Sequence, residues 1–246
     1  MFNYQIIIEY DGTNFVGWQK QKNGISVQSA IEKSFYKILK VKIKLYGSGR
    51  TDSGVHAQGQ SAHFKLNYKI NNKFLFLNSV NFFLSKKKIS ILKINEKKID
   101  FHARFSAKRR EYRYFIVNRL APPSLDRNKA WHIKFNLNLK SMKKAANLLK
   151  GKKDFSTFRS SSCNAKSPIK TLDEAMVKKI GDKIVIIFKS KSFLQQQVRS
   201  MVGCLRYVGE GKWSLKKMKN IIKSKKRSNC APPSPAHGLY LFKVLY

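Results

Sequence analysis

The 246 residues include 51 Lys and Arg against 13 Asp and Glu, a formal charge of +38, with 42% hydrophobic and 12% aromatic residues. This length and apolar content can bury a core in one large domain or two smaller ones, and they exclude global disorder despite the charge. No apolar run approaches the ~20 residues of a membrane span. The first residues lack the basic and apolar segments of a secretory signal. Cys163, Cys204 and Cys230 are odd in number, widely spaced and without a C-x-x-C pair. That argues against a disulfide framework or a cysteine-based zinc site, and for a reducing cytoplasm.

In chain order, residues 4–10 (YQIIIEY) have the β-branched density of a strand and end at the turn signal Asp11-Gly12. Ser26 is placed as an N-cap, and Val27, Ala30, Ile31, Phe35, Ile38 and Leu39 recur at helical spacing up to Lys40. Residues 41–48 alternate as a second strand would, and a Gly-rich loop covers 47–54. Residues 58–64 form a third strand, 71–84 an apolar helix and 90–94 a further strand. Phe74-Leu75-Phe76-Leu77 and Phe82-Phe83 are expected in the core.

A second half begins near residue 106, so the expected organisation is 1–105 and 106–246. Residues 111–118 alternate as a strand, and 141–150 form a helix with Gly151 as its stop. Residues 172–179 and 183–189 make a hairpin around Gly181-Asp182, followed by helices at 193–208 and 215–223. Gly209 and Gly211 cap the longer helix. An irregular stretch at 231–235 precedes a last strand at 239–244. Helices mixed with strands in antiparallel-compatible hairpins give an α+β class with helices on one sheet face.

So basic a chain attracts polyanions, nucleic acid first among them. Part of the excess is compositional, because 40 of the 51 cations are Lys and Asn and Ile are abundant, the profile that AT-rich codons produce. The 11 Arg are therefore more informative, since a planar bidentate donor is needed only at particular places. The densest cluster of chemistry-bearing residues is Gly47-Ser48-Gly49-Arg50-Thr51-Asp52-Ser53-Gly54-Val55-His56-Ala57. Its glycines allow sharp turns and close approach to a ligand. An Asp in such a loop is ordinarily a turn former. On a surface that binds phosphates, however, it is repulsive and asks for a chemical role. The five histidines show no H-x-x-x-H pairing, so a zinc site from them is not expected.

The run from Gly49 to Ala57 resembles the catalytic signature of the tRNA pseudouridine synthase A family. Further segments agree in the same order: Glu9 to Gln19, Phe101 to Ala107, Arg110 to Tyr114, Asp154 to Arg159, Phe193 to Gly203 and Pro233 to Leu241. The resemblance implies that fold, with two similar halves of antiparallel sheet around a central basic cleft. It implies isomerisation of uridine to pseudouridine at positions 38, 39 and 40 of the tRNA anticodon stem-loop, with the base flipped out, by a homodimer. By the same resemblance Asp52 is the essential nucleophile, and Arg50, in the same loop, holds the place of the flipped nucleotide. Tyr112 stacks on the target base and Arg199 is the ion-pair partner of the carboxylate. Gln195-Gln196-Gln197 departs from the family pattern, where many relatives have a His-containing stretch, while Val198-Arg199 is retained.

The reaction removes no electrons and loses no group, so it implies neither metal nor redox cofactor; one carboxylate can serve as nucleophile or proton acceptor. Without the resemblance, Tyr112 and Tyr114 read as same-face packing residues and Arg199 as a surface or ion-pair residue. The competing expectation is a non-catalytic basic RNA-binding or ribosome-associated protein, in which Asp52 is dispensable. A nucleoside glycosidase fits less well, because the usual pair of carboxylates is missing.

Overall fold

A computed structural model describes residues 1–246. Its regular elements are β1 Phe2–Tyr10, α1 Val27–Leu39, β2 Tyr46–Gly47, β3 His56–Leu66, α2 Lys73–Leu84, β4 Ile89–Lys97, β5 Arg109–Asn118, β6 Trp131–Ile133, α3 Leu139–Leu149, β7 Gly151–Asp154, β8 Ile169–Ile180, β9 Lys183–Ser190, α4 Gln197–Gly209, α5 Leu215–Ser224 and β10 Leu239–Leu245. The class is α+β, with mostly antiparallel strand pairing. No helix is long and apolar enough to cross a membrane. The chain forms two compact units, residues 1–108 with 240–246, and residues 109–239. The division expected at 105 and 106 grouped 240–246 with the second half. Their place in the first unit follows from pairing of Tyr240 and Leu241 with His56 and Ala57.

In the first unit β1 lies between β4 and β3, antiparallel to both. The other edge of β3 is shared. Parallel β10 takes its start, and antiparallel β2 takes His63 and Ala62. One face of β1 and β3 is apolar, through Tyr4, Ile6, Ile8, Ala62 and Phe64, all fully buried. α1 docks there, its Phe35 ring 4.8 Å from Phe64 and 5.4 Å from Phe76 of α2. Ser26 caps α1 through a capping box with Ser29, and Lys40 ends it in the left-handed region at φ 56°. The opposite face is polar yet also buried, so its groups need partners. Gln5 Nε2 donates to Ser61 Oγ at 2.9 Å, and the Tyr246 hydroxyl bridges Ser61 Oγ and the Ala103 carbonyl, both at 2.8 Å.

Two expectations fail here for physical reasons. Residues 41–48 form a strand only at 46–47; Ile43 and Leu45 are buried, but residues 41–45 pair with no strand. The Leu45 backbone is instead held by side chains of α1, its N–H donating to Glu32 and its carbonyl accepting from Gln28. The alternation thus records docking on a helix. Of the phenylalanine-rich α2, only Phe76, Val80 and Leu84 are buried, while Phe74, Leu75 and Phe82 face solvent. A helix apolar all round has no periodicity to say which stripe turns inward.

The second unit is an antiparallel sheet in the order β5, β9, β8, β7, with short β6 parallel to β5. Gly181, at φ 59°, turns the β8–β9 hairpin. α3 packs on β8 and against α4 and α5. Gly151, at φ 94°, follows α3 and starts β7.

Candidate active site

In the first unit Asp52 stands in the loop between β2 and β3, where the chain is tied down on both sides of it. Ser48 donates from its backbone to the Ser61 carbonyl at 2.7 Å and from its hydroxyl to Gln60 Oε1 at 2.8 Å. Gln60 Nε2 returns a bond to the Gly49 carbonyl at 2.9 Å. Thr51 shares a 2.8 Å hydrogen bond with the Tyr10 hydroxyl, and its carbonyl accepts from the Trp18 amide at 3.1 Å. Val55 N–H closes a turn on the Asp52 carbonyl at 3.2 Å, with Gly54 in the left-handed region at φ 76°. Ser53 Oγ donates to the Phe15 carbonyl.

The surface behind this loop is residues 11–18. A Cβ on Gly12 would lie 2.0 Å from the Val55 carbonyl oxygen, and one on Gly17 (φ 109°) 2.6 Å from that of Thr51. The two segments meet backbone to backbone, which only glycine permits. The Gly12 amide also donates to His56 Nδ1 at 3.0 Å, so that nitrogen is an acceptor and the ring proton sits on Nε2. The His56 ring stacks on Tyr240 at 4.6 Å. Burial works against the charge of Asp11. Hydrogen bonds from the Thr13 hydroxyl and amide, with the charge of Lys88, outweigh it and hold the carboxyl below its ordinary range. Asp52 itself is partly exposed, and Arg50 points into solvent.

In the second unit Tyr112 and Tyr114 share one face of β5. Tyr112 is nearly buried, its ring edge-on to Phe193 at 5.1 Å. Glu111 and Arg113 on the other face form a 2.7 Å ion pair. Arg199 lies in the first turn of α4. Its Nε donates to the Ser234 carbonyl at 2.8 Å, and the Ser234 amide donates to the Arg199 carbonyl at 3.0 Å. One of the guanidinium's five N–H groups is thus spent on orienting the side chain. The adjoining Pro235 carbonyl accepts from the Tyr114 hydroxyl at 2.8 Å, and burial pushes that phenol above its ordinary range. A Cβ on Gly238 would strike the Tyr114 ring at 2.6 Å. Residues 234–238 are therefore a brace for Arg199 and Tyr114.

α4 starts four residues later than the expected 193. Gln196 adopts the left-handed region, and the buried Gln197 side chain accepts from the Leu194 amide at 2.8 Å. The Gln195 carbonyl accepts from the Ser160 amide. The glutamine run is thus the helix entry, with at least Gln197 structural. Ser234, Tyr10 and Trp18 escaped the sequence reading as positioning residues, since each acts through contacts distant in the chain.

A family model described as tRNA pseudouridine synthase matches residues 6–106 and 145–246. The chain is 56% identical over 246 residues to a tRNA pseudouridine synthase A of Pelagibacter ubique, covering all of both chains. It is 44% identical to one from Parvibaculum lavamentivorans, again covering both completely. Against one from Rhodospirillum rubrum it is 41% identical over all of this chain and 88% of the other. The chain belongs to the tRNA pseudouridine synthase family. It is accordingly an isomerase, converting uridine to pseudouridine in tRNA.

Proposed function

We propose that this isomerase acts on uridines 38, 39 and 40 of the anticodon stem-loop, as a cytoplasmic homodimer, with Asp52 as nucleophile. The net reaction breaks the N1–C1′ bond, forms C5–C1′ and moves a proton from C5 to N1, so it balances with no electron acceptor. Arg199 supplies the guanidinium that neutralises the Asp52 carboxylate, offsetting the cost of holding that charge in a closed site. Tyr112 receives the everted base, where stacking contributes roughly 1–3 kcal/mol. Arg50, beside Asp52, takes the place the uridine leaves. Three neighbouring targets require reading by backbone and shape, which suits a surface of Lys and Arg. For the homodimer, the support is the outward apolar arc of Phe74, Leu75 and Phe82 on α2.

The observation that carries the reading is the meeting, within one unit, of two motif segments whose contacting residues are 33 to 43 positions apart. The turn at 11–18 pins the backbone on both sides of Asp52, and only glycines fit the contact. Such fixation serves a reacting group better than a solvated turn. Asp52→Asn keeps the loop's hydrogen-bonding shape and removes the charge. We expect no detectable pseudouridine at the three positions on mapping of an unmodified transcript, with tRNA binding within a few-fold of the parent. Conversion by Asp52→Asn at the parent's rate would overturn the assignment.

A further inference from the structure

The first unit carries a ring cluster that the reaction does not use. Tyr46 of β2 stacks on His63 of β3, centroids 5.1 Å apart and planes at 23°. His102 lies 4.5 Å from His63, and Phe105 a further 4.4 Å from His102 at 38°. Tyr46 is 39% and Phe105 72% exposed. So open a phenyl ring adds little to the stability of the fold, and packing does not account for it. Both imidazoles are neutral acceptors at Nδ1, that of His63 from the Ala103 amide at 3.1 Å and that of His102 from the Arg104 amide at 3.1 Å. Cations lie over two of the rings: Lys44 Nζ is 5.3 Å from the Tyr46 centroid and Arg104 Cζ 5.4 Å from that of Phe105.

We propose that Tyr46, His102 and Phe105, backed by His63, form a stacking platform for a nucleotide of the bound RNA other than the reacting uridine. The proposal rests on the reading of tRNA as substrate and adds a second point of grip to it. Exposed aromatic rings accompanied by mobile cations are the recurring solution for holding an unpaired base, because every base has a π-face and each nucleotide carries a phosphate. Self-association through this patch is disfavoured, since a two-fold contact would set the Lys44 and Arg104 charges of one copy against those of the other. The location is also apt. Tyr46 precedes Asp52 by six residues, so the Cα atoms of the two lie within about 22 Å of each other. An RNA strand presenting one uridine to Asp52 can therefore lay a nucleotide a few steps along the strand on the rings.

The test uses the whole protein and an unmodified tRNA transcript. Phe105→Ala, at an exposed site, should leave the thermal midpoint unchanged. It should weaken tRNA binding roughly 5- to 100-fold, with kcat/KM for pseudouridine formation falling by the same factor. Phe105→Trp should restore affinity to the parent's level or better, which a purely structural role would not require. Phe105→Ala should keep the parent's salt dependence, whereas Lys44→Gln should lower the log–log slope by about one. Parent affinity in both Phe105→Ala and Tyr46→Ala overturns the platform. A switch from dimer to monomer in those variants, seen by sedimentation, assigns the patch to a second copy and overturns it equally. A parent protein that binds tRNA yet forms no pseudouridine overturns the functional reading instead, and the affinity arms still decide the platform.

Discussion

The two units hold their candidate residues by opposite means. In the first, Asp52 sits on irregular chain, and its position is fixed by backbone pressed against backbone through Gly12 and Gly17. In the second, Tyr112 and Arg199 ride on a strand and a helix, and side chains such as Tyr114 give the orientation, with the Ser234 backbone. Loop placement tolerates no added atoms, whereas element placement tolerates small volume changes and depends on particular hydrogen-bonding groups.

The largest effect should come from attacking the first means. Gly12→Ala puts a methyl 2.0 Å from the Val55 oxygen, where nothing flexible can yield. We expect destabilisation of about 3 kcal/mol or more, read as a fall in the urea midpoint, with pseudouridine formation lost alongside. A midpoint equal to the parent's would mean that the loop has slack. The second means is tested by Tyr114→Phe, which keeps the ring but strips the half-buried Pro235 carbonyl of its donor. A cost of about 0.5–1.5 kcal/mol follows. Because the brace on Arg199 loosens with it, kcat should fall more than tRNA affinity. Equal loss in both would show that Tyr114 matters to folding alone.

The smallest effect separates the units by pH. Burial, with the nearby charge of His102, lowers His63 from 6.5 in the free side chain to about 4, and His102 is shifted the same way. Between those values the unfolded chain takes up a proton that the folded chain refuses, so stability is full above pH 6.5 and declines as pH falls towards 4. Urea midpoints from pH 7 to 5, above the range where carboxylates titrate, should show this slope. His63→Gln should flatten it; an unchanged slope would place the titration elsewhere.

What the sequence made legible was local. The Ser26 capping box, the Gly181 turn and the β-branched run of β1 each declare themselves within a few residues. Asp52 and Arg50 stood out because glycines and a rare acid crowd one short loop. The failures are non-local. Alternation at 41–45 came from α1's Gln28 and Glu32, and the outward phenylalanines of α2 carry no periodic mark. The brace on Arg199 is supplied by a residue 35 positions away. Cys204 and Cys230 are free thiols, yet their sulfurs lie 3.5 Å apart, a proximity the spacing did not reveal, because residues 227–230 pack on Ser200 of α4.

The order in which strands join the first unit has a consequence for biosynthesis. β10 occupies the edge of β3 immediately beyond the Asp52 loop, and the fit is so close that a Cβ on Gly59 would lie 2.4 Å from the Phe242 oxygen. The Tyr246 hydroxyl then satisfies Ser61 and Ala103 beneath that sheet. A nascent polypeptide therefore carries the Asp52 loop early but lacks the flanking strand until residues 240–246 leave the ribosome. Fragments released by premature termination would carry the whole signature without the strand that flanks it.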